Sequence, residues 1–147
     1  MPLMVPMPRW ILVAMLPILM MERRVAAMPR CDDPSISLLE VVLGARTWVD
    51  LDKVSRCVRY GEDDGGVSEV ISDRVGTLLA SQWDTLPELQ QLVTHRPEFQ
   101  QFVSRHIDIT LRAEQLVAIE QNAETRCPAT STALCHEIGL AAESIKR

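Results

Sequence analysis

Two neighbouring segments of the chain carry nearly the same pattern of apolar and polar positions. Residues 87–94 read PELQQLVT and residues 97–104 read PEFQQFVS. Each segment places proline and glutamate before apolar residues spaced three and four apart, which is typical of the first turn and one face of a short helix. Because Pro97 disfavours the α conformation at the residue before it, the pattern predicts two helices with a bend at His95-Arg96.

The same helical period continues on both sides of this pair, from Ser35 to the end of the chain. No sustained alternation of period two interrupts it, which predicts an all-α fold. Ser35, Asp50 and Pro128 are the predicted starts of three further helices, and residues 61–66 form an acidic, glycine-rich turn. Two more helices are predicted, one from Val67 to Ala80 and one from the residue after Thr110 to about Glu124. The positions predicted to face inward in these five helices are Leu38, Leu39, Val42, Leu43, Leu51, Val54, Cys57, Val58, Val67, Val70, Ile71, Val75, Leu78, Leu79, Leu116, Ile119, Ala123, Leu134, Ile138, Ala141, Ala142 and Ile145.

Phenylalanine occurs only twice, at Phe99 and Phe102, three residues apart on one helical face. An exposed aromatic pair would form a large apolar patch of the kind that soluble monomers avoid. We therefore expect these two rings to be the largest side chains of the core, with Leu89 and Leu92 packed beside them.

Residues 1–29 differ in kind from the rest of the chain. They contain all seven methionines and an apolar run from Trp10 to Met21, followed by Glu22-Arg23-Arg24. The run is shorter than the roughly 20 apolar residues of a membrane-spanning helix, and the charges behind it argue against cleavage as a secretion signal. Three interpretations remain open for this apolar N-terminal extension: a docked or non-native tail, a membrane anchor, or a secretion signal. Residues 30–147 are expected to form one small helical bundle of about six to seven short helices.

Composition limits the classes of partner. The chain has 147 residues, with 20 acidic and 15 scattered basic residues and a net charge of −5. Binding to nucleic acid requires a basic surface that neutralises phosphates, so no nucleic-acid partner is expected.

The four cysteines, Cys31, Cys57, Cys127 and Cys135, give no dense disulfide framework. In a chain of this length we expect free, buried thiols in a reducing cytoplasm. Cys127, Cys135 and His136 are the one candidate metal cluster, but zinc pairs are usually separated by two to four residues, and neighbours on a helix point about 100° apart. No metal and no cofactor are therefore predicted.

The chain lacks a glycine-rich phosphate loop and a Gly-x-Ser-x-Gly motif, and nothing in the sequence places a histidine where it could act as the base for a particular cysteine. Its size and charge, but no motif, are similar to those of immunity proteins and secretion chaperones. The sequence therefore favours a non-catalytic protein–protein interaction module (adaptor, chaperone-like or immunity-like), whose unknown partner binds near Gln90, Gln91, Gln100 and Gln101. The alternatives are a membrane-anchored helical domain that contacts lipid through Trp10 to Met21, and an enzyme that uses a Cys or His in a pocket between helices.

Overall fold

A computed structural model of the protein describes residues 37–58 and 65–146. Over these residues the chain forms seven α-helices and no strand, which confirms the all-α prediction. The 3-10 turns Trp83–Thr85 and Ala129–Ser131 lead directly into the fourth and seventh helices. The helices are α1 (Leu38–Gly44), α2 (Trp48–Cys57), α3 (Gly66–Ser81), α4 (Leu86–His95), α5 (Pro97–Arg105), α6 (Ala113–Thr125) and α7 (Thr132–Ile145).

Some of the sequence predictions fall outside the described residues. They are the apolar extension of residues 1–29, the proposed cap Ser35 and most of the acidic turn, residues 61–64. At the end of that turn Gly65 has a φ of 63°. Only glycine adopts this left-handed conformation without a steric penalty, so Gly65 sets the entry of the chain into α3.

The first two described helices begin with capping boxes. Ser37 caps α1 and exchanges hydrogen bonds with Glu40, while Thr47 caps α2 and exchanges them with Asp50. In both boxes the hydroxyl accepts a backbone N–H inside the helix and the carboxylate accepts the backbone N–H of the cap. The prediction of Asp50 as the cap of the second helix was therefore wrong by three residues, because Asp50 fills the acidic position of the box.

The core is centred on α3, which packs against α1 and α6, while α6 also packs along α7 and α2 packs against α4. Phe99 and Phe102 are buried, as predicted, but they are not the largest core residues, because Trp48 and Trp83 are also buried. The indole Nε1 of Trp48 donates to Thr85 Oγ1 at 2.9 Å, and that of Trp83 donates to the Arg126 carbonyl at 3.0 Å. Each indole can therefore be buried with its polar atom satisfied.

The face that α1 buries differs from the predicted one. Val42 is fully buried, but Leu39 and Leu43 are 41% and 45% exposed, and the additional buried position is Val41. The apolar residues of this seven-residue helix allow two overlapping faces, and Val42 belongs to both. Packing against α3 buries the face that includes Val41 and Ala45 and leaves Leu39 and Leu43 exposed.

The bend between the two Pro-Glu helices is confirmed. Arg96 separates α4 from α5 with φ −145° and ψ 81°, outside the α region as Pro97 requires. Its guanidinium reaches back to α2, where Nη1 lies 3.0 Å from Asp52 Oδ1 and Nη2 donates to Ser55 Oγ. The same guanidinium lies 5.5 Å from the ring centroid of Phe99. Arg96 therefore connects the bend to α2 by an ion pair and to α5 by a cation–π contact.

Candidate functional site

The structure overturns the expectation of free thiols. Cys127 and Cys135 form a disulfide, with their Cα atoms 6.0 Å apart. Cys57 is also disulfide-bonded. The expectation of free thiols was based on the length of the chain and its sparse cysteines. In the structure the chain turns at Pro128 and the 3-10 turn Ala129–Ser131, which brings the two sulfur atoms together. Neither sulfur is then left as a thiolate for metal binding or catalysis.

This disulfide lies in a surface groove between α6 and α7 with a volume of about 360 Å³. We call it the α6–α7 groove. Its walls come from positions that share one face of each helix, at spacings of three and four. The lining residues are Glu120, Ala123, Glu124, Cys127, Thr132, Cys135, His136, Gly139, Leu140 and Glu143.

The groove exists because small residues face each other at its base. A Cβ placed on Gly139 would lie 3.4 Å from the Cβ of Ala123, so the two helices approach closely at this point. Longer side chains on either side of the contact, including Leu140 and Glu124, then form the walls. The small residues Ala123 and Gly139 therefore form the base of the groove, and the longer side chains around them form its walls.

The walls combine apolar surface with negative charge. Within the part of the chain that the structure describes, the lining includes three glutamates and no lysine or arginine. One of them, Glu120, is paired with Lys146 at the end of α7. Leu140 is 51% exposed, and Val117, three residues before Glu120 on the same side of α6, is 40% exposed. The groove thus offers the exposed Leu140 beside carboxylates, and Val117 adds exposed apolar surface outside its lining.

The structure gives the four glutamines predicted as a partner surface different surroundings. Gln100 and Gln101 line a groove of about 530 Å³, where the Gln100 amide donates to Glu137 of α7. Gln91 lines a different groove, of about 290 Å³. The Gln90 amide donates to Thr94 Oγ1 on its own helix. The bend at Arg96 separates the two pairs, and their role in binding stays a prediction.

Sequence reasoning missed a buried polar cluster formed by Ser72, His106 and Asp108. Ser72 and His106 are 0% and 2% exposed. Ser72 Oγ lies 3.1 Å from His106 Nδ1 and donates to Asp108 Oδ2 at 2.7 Å. The other carboxylate oxygen accepts from the amide and hydroxyl of Thr110. These residues lie up to 36 positions apart, so no local pattern indicates their contact.

The cluster resembles a catalytic triad in composition but not in arrangement. The hydroxyl of Ser72 has one proton, which Asp108 accepts, so His106 Nδ1–H must donate to Ser72 Oγ. In a triad the imidazole instead accepts the serine proton and the carboxylate orients the other ring nitrogen. This cluster therefore fastens the segment after α5 to α3.

Hydrogen bonding also sets the charge of Asp108. Burial raises the pKa of its carboxyl, but hydrogen bonds from the Thr110 hydroxyl and amide and from Ser72, together with the charge of His106, outweigh burial. The net result is a pKa below the ordinary value of 3.8, so the carboxylate is ionised at neutral pH.

Among residues 37–58 and 65–146, no group of three His, Cys, Asp or Glu side chains is arranged to hold a metal ion. None of the described helices combines the length and apolarity that crossing a membrane requires. Comparison with protein-family models, curated proteins and solved structures gave no match to this chain. The α6–α7 groove is therefore the candidate site on geometric and chemical grounds alone.

Proposed function

We propose that the protein is a non-catalytic interaction module that binds a cationic, amphipathic helix of a partner protein in the α6–α7 groove. The observation that carries this proposal is the combination of exposed Leu140 with three glutamates in one groove. Helix-in-groove recognition requires an apolar depression for anchor side chains at helical spacing, and charges on the rim set the preferred partner.

The dimensions of the groove suit such a ligand. The helices α6 and α7 contain 13 and 14 residues, which corresponds to a length of about 20 Å at 1.5 Å per residue. A partner helix of three to four turns spans that length. Its apolar stripe would contact Leu140 and Val117, while its lysines or arginines would lie beside Glu124 and Glu143.

The disulfides bear on where this binding takes place. Disulfides form and persist in oxidising compartments and are rare in the cytosol of most organisms. With Cys127, Cys135 and Cys57 all disulfide-bonded, we propose an extracytoplasmic location in place of the cytoplasmic one that composition favoured. The membrane-anchor alternative depends on Trp10 to Met21, outside the described residues, and stays a prediction.

Binding can be tested with two synthetic helical peptides of equal length and equal leucine stripe, one with lysines and one with glutamates on its polar face. We expect the lysine peptide to bind, with affinity that falls as salt is raised. Leu140→Ser and Glu124→Lys should each weaken binding about tenfold, since each removes roughly 1.4 kcal/mol or more of contact energy.

The matched control is Glu114→Lys, the same charge change on α6 at a residue outside the groove that pairs with Arg112. It should retain the wild-type affinity. Equal binding of both peptides, or equal weakening by Glu114→Lys and Glu124→Lys, would refute the proposal.

A further inference from the structure

A second, smaller pocket lies between the connection of α1 to α2 and the middle of α3. Its volume is about 90 Å³. Arg46 and Arg74 line it together with the polar residues Thr77 and Gln82, and Leu51 and Leu78 supply apolar surface. Its lining residues lie between positions 45 and 82, whereas those of the α6–α7 groove lie between positions 120 and 143, so the two sites share no residue.

The charge of this pocket contrasts with that of the whole protein. Its lining, as far as the described residues define it, contains two guanidinium groups and no carboxylate, although the net charge of the chain is −5. Like charges in a small pocket repel each other, and an anion between them would remove that repulsion.

Arg74 carries the more specific signal. Its Nε is buried from solvent and has no hydrogen-bond partner. Buried donors are nearly always hydrogen-bonded, and leaving one unsatisfied is costly, more so on a charged group. Because an atom closed to solvent is also closed to a ligand oxygen, an anion in the pocket would bind the outer guanidinium nitrogens of Arg74. It would supply the counter-charge that Arg74 lacks among the described residues.

Arg46 is held in position from the other wall. Its Nη1 donates to the carbonyls of Leu43 at 2.8 Å and Ala45 at 3.1 Å, at the end of α1. These bonds use one of the three guanidinium nitrogens and fix the plane of the group. The Arg46 side chain is therefore preorganised, so binding of an anion costs less side-chain entropy.

We propose that the pocket formed by Arg46, Arg74, Thr77 and Gln82 binds the carboxylate of a small organic acid or of a peptide C-terminus. Guanidinium groups match the planar geometry of a carboxylate, which accepts up to about four hydrogen bonds. Thr77 and Gln82 supply further neutral donors. Leu51 and Leu78 provide contact for the carbon attached to the carboxylate, and the small volume favours this group over a larger phosphate ester.

The test is an NMR titration of the full-length protein with sodium acetate, with sodium chloride at equal ionic strength as the reference. We expect saturable shifts of the methyl groups of Leu51, Leu78 and Thr77 with acetate and no such shifts with chloride. Arg74→Gln should weaken binding by roughly tenfold or more, as loss of a charged hydrogen bond does. Arg112→Gln, which changes an exposed arginine paired with Glu114, should leave it unchanged.

If Arg74→Gln does not fold, Arg46→Gln changes an exposed side chain of the same pocket and should weaken binding in the same direction. Shifts that are equal with acetate and chloride, or that persist undiminished in the pocket variants, overturn the proposal. A tripeptide with a free C-terminus and its amidated form distinguish the two sources of the carboxylate. Tighter binding of the free tripeptide than of acetate identifies a chain terminus, equal binding identifies a small acid, and equal binding of the amidated form overturns the proposal.

Discussion

Two arginines contact the same buried carboxylate, and the structure predicts that they differ strongly in energetic value. Asp52 is paired with Arg56 one turn later on α2 and with Arg96 at the bend between α4 and α5. The side chain of Arg56 is 60% exposed and that of Arg96 is 15% exposed, against 9% for Asp52. Truncating each arginine to alanine therefore compares an exposed contact and a buried contact with one common partner.

The magnitudes follow from burial. An exposed pair at i, i+4 contributes about 0.3–0.5 kcal/mol, so Arg56→Ala should change the free energy of unfolding by less than about 1 kcal/mol. Breaking a buried pair costs about 3–5 kcal/mol, and the cation–π contact with Phe99 adds to that. Because Asp52 keeps Arg56, and its contact with Arg96 is an ion pair without hydrogen-bond geometry, we expect the low end for Arg96→Ala, about 3 kcal/mol.

Urea unfolding followed by circular dichroism measures both variants. With a slope of about 2 kcal/mol per molar urea, Arg96→Ala should lower the midpoint by about 1.5 M and Arg56→Ala by less than about 0.5 M. Asp52→Asn should cost less in the Arg96→Ala background than in the wild-type protein, because the contact between Asp52 and Arg96 is already lost there. Equal effects of the two arginine variants, or strict additivity of Asp52→Asn with Arg96→Ala, would show that the bend is not held by this pair.

Three further predictions concern the disulfide, the polar cluster and the core. Replacing both Cys127 and Cys135 by alanine should lower the free energy of unfolding by about 2.5 kcal/mol from loop-closure entropy over eight residues; a loss below about 0.5 kcal/mol in urea unfolding would contradict this. Because folding lowers the pKa of Asp108, its contribution to stability is present above its ordinary pKa and is lost as pH falls. Asp108→Asn should therefore flatten the acid side of a plot of melting temperature against pH. An unchanged slope in the variant would contradict this role of Asp108. Phe102→Ala should cost about 3–5 kcal/mol and leave the protein marginal, whereas exposed Gln101→Ala should change stability by about 0.5 kcal/mol or less; similar melting temperatures for the two would place Phe102 outside the core.

Local chemistry determined what the sequence could predict. The bend at Arg96 follows from Pro97 alone, because proline restricts the residue before it wherever the surrounding helices lie. The extents of α3 and α6 follow from apolar spacing sustained over three or more turns. In these elements a few neighbouring residues specify the conformation.

The candidate sites depend on contacts that no local pattern indicates. The Ser72 and Asp108 side chains join α3 to the segment after α5, and Arg46 and Arg74 line one pocket although they are 28 positions apart in the sequence. The disulfide was missed because chain length and the number of cysteines do not indicate that the turn before α7 brings Cys127 and Cys135 together. Apolar spacing gives the face of each helix, but which faces meet is decided by packing of the whole domain.

The bond between Cys127 and Cys135 also limits how two copies of this chain can associate. Exchange of a terminal helix between copies requires the connection before it to straighten, and α7 is the terminal helix of the described chain. Eight residues in extended conformation would separate the two Cα atoms by about 26 Å, but the disulfide holds them 6.0 Å apart. While the bond is intact, α7 therefore cannot be exchanged by opening this connection, and a dimer swapped in this way can form only from reduced chains.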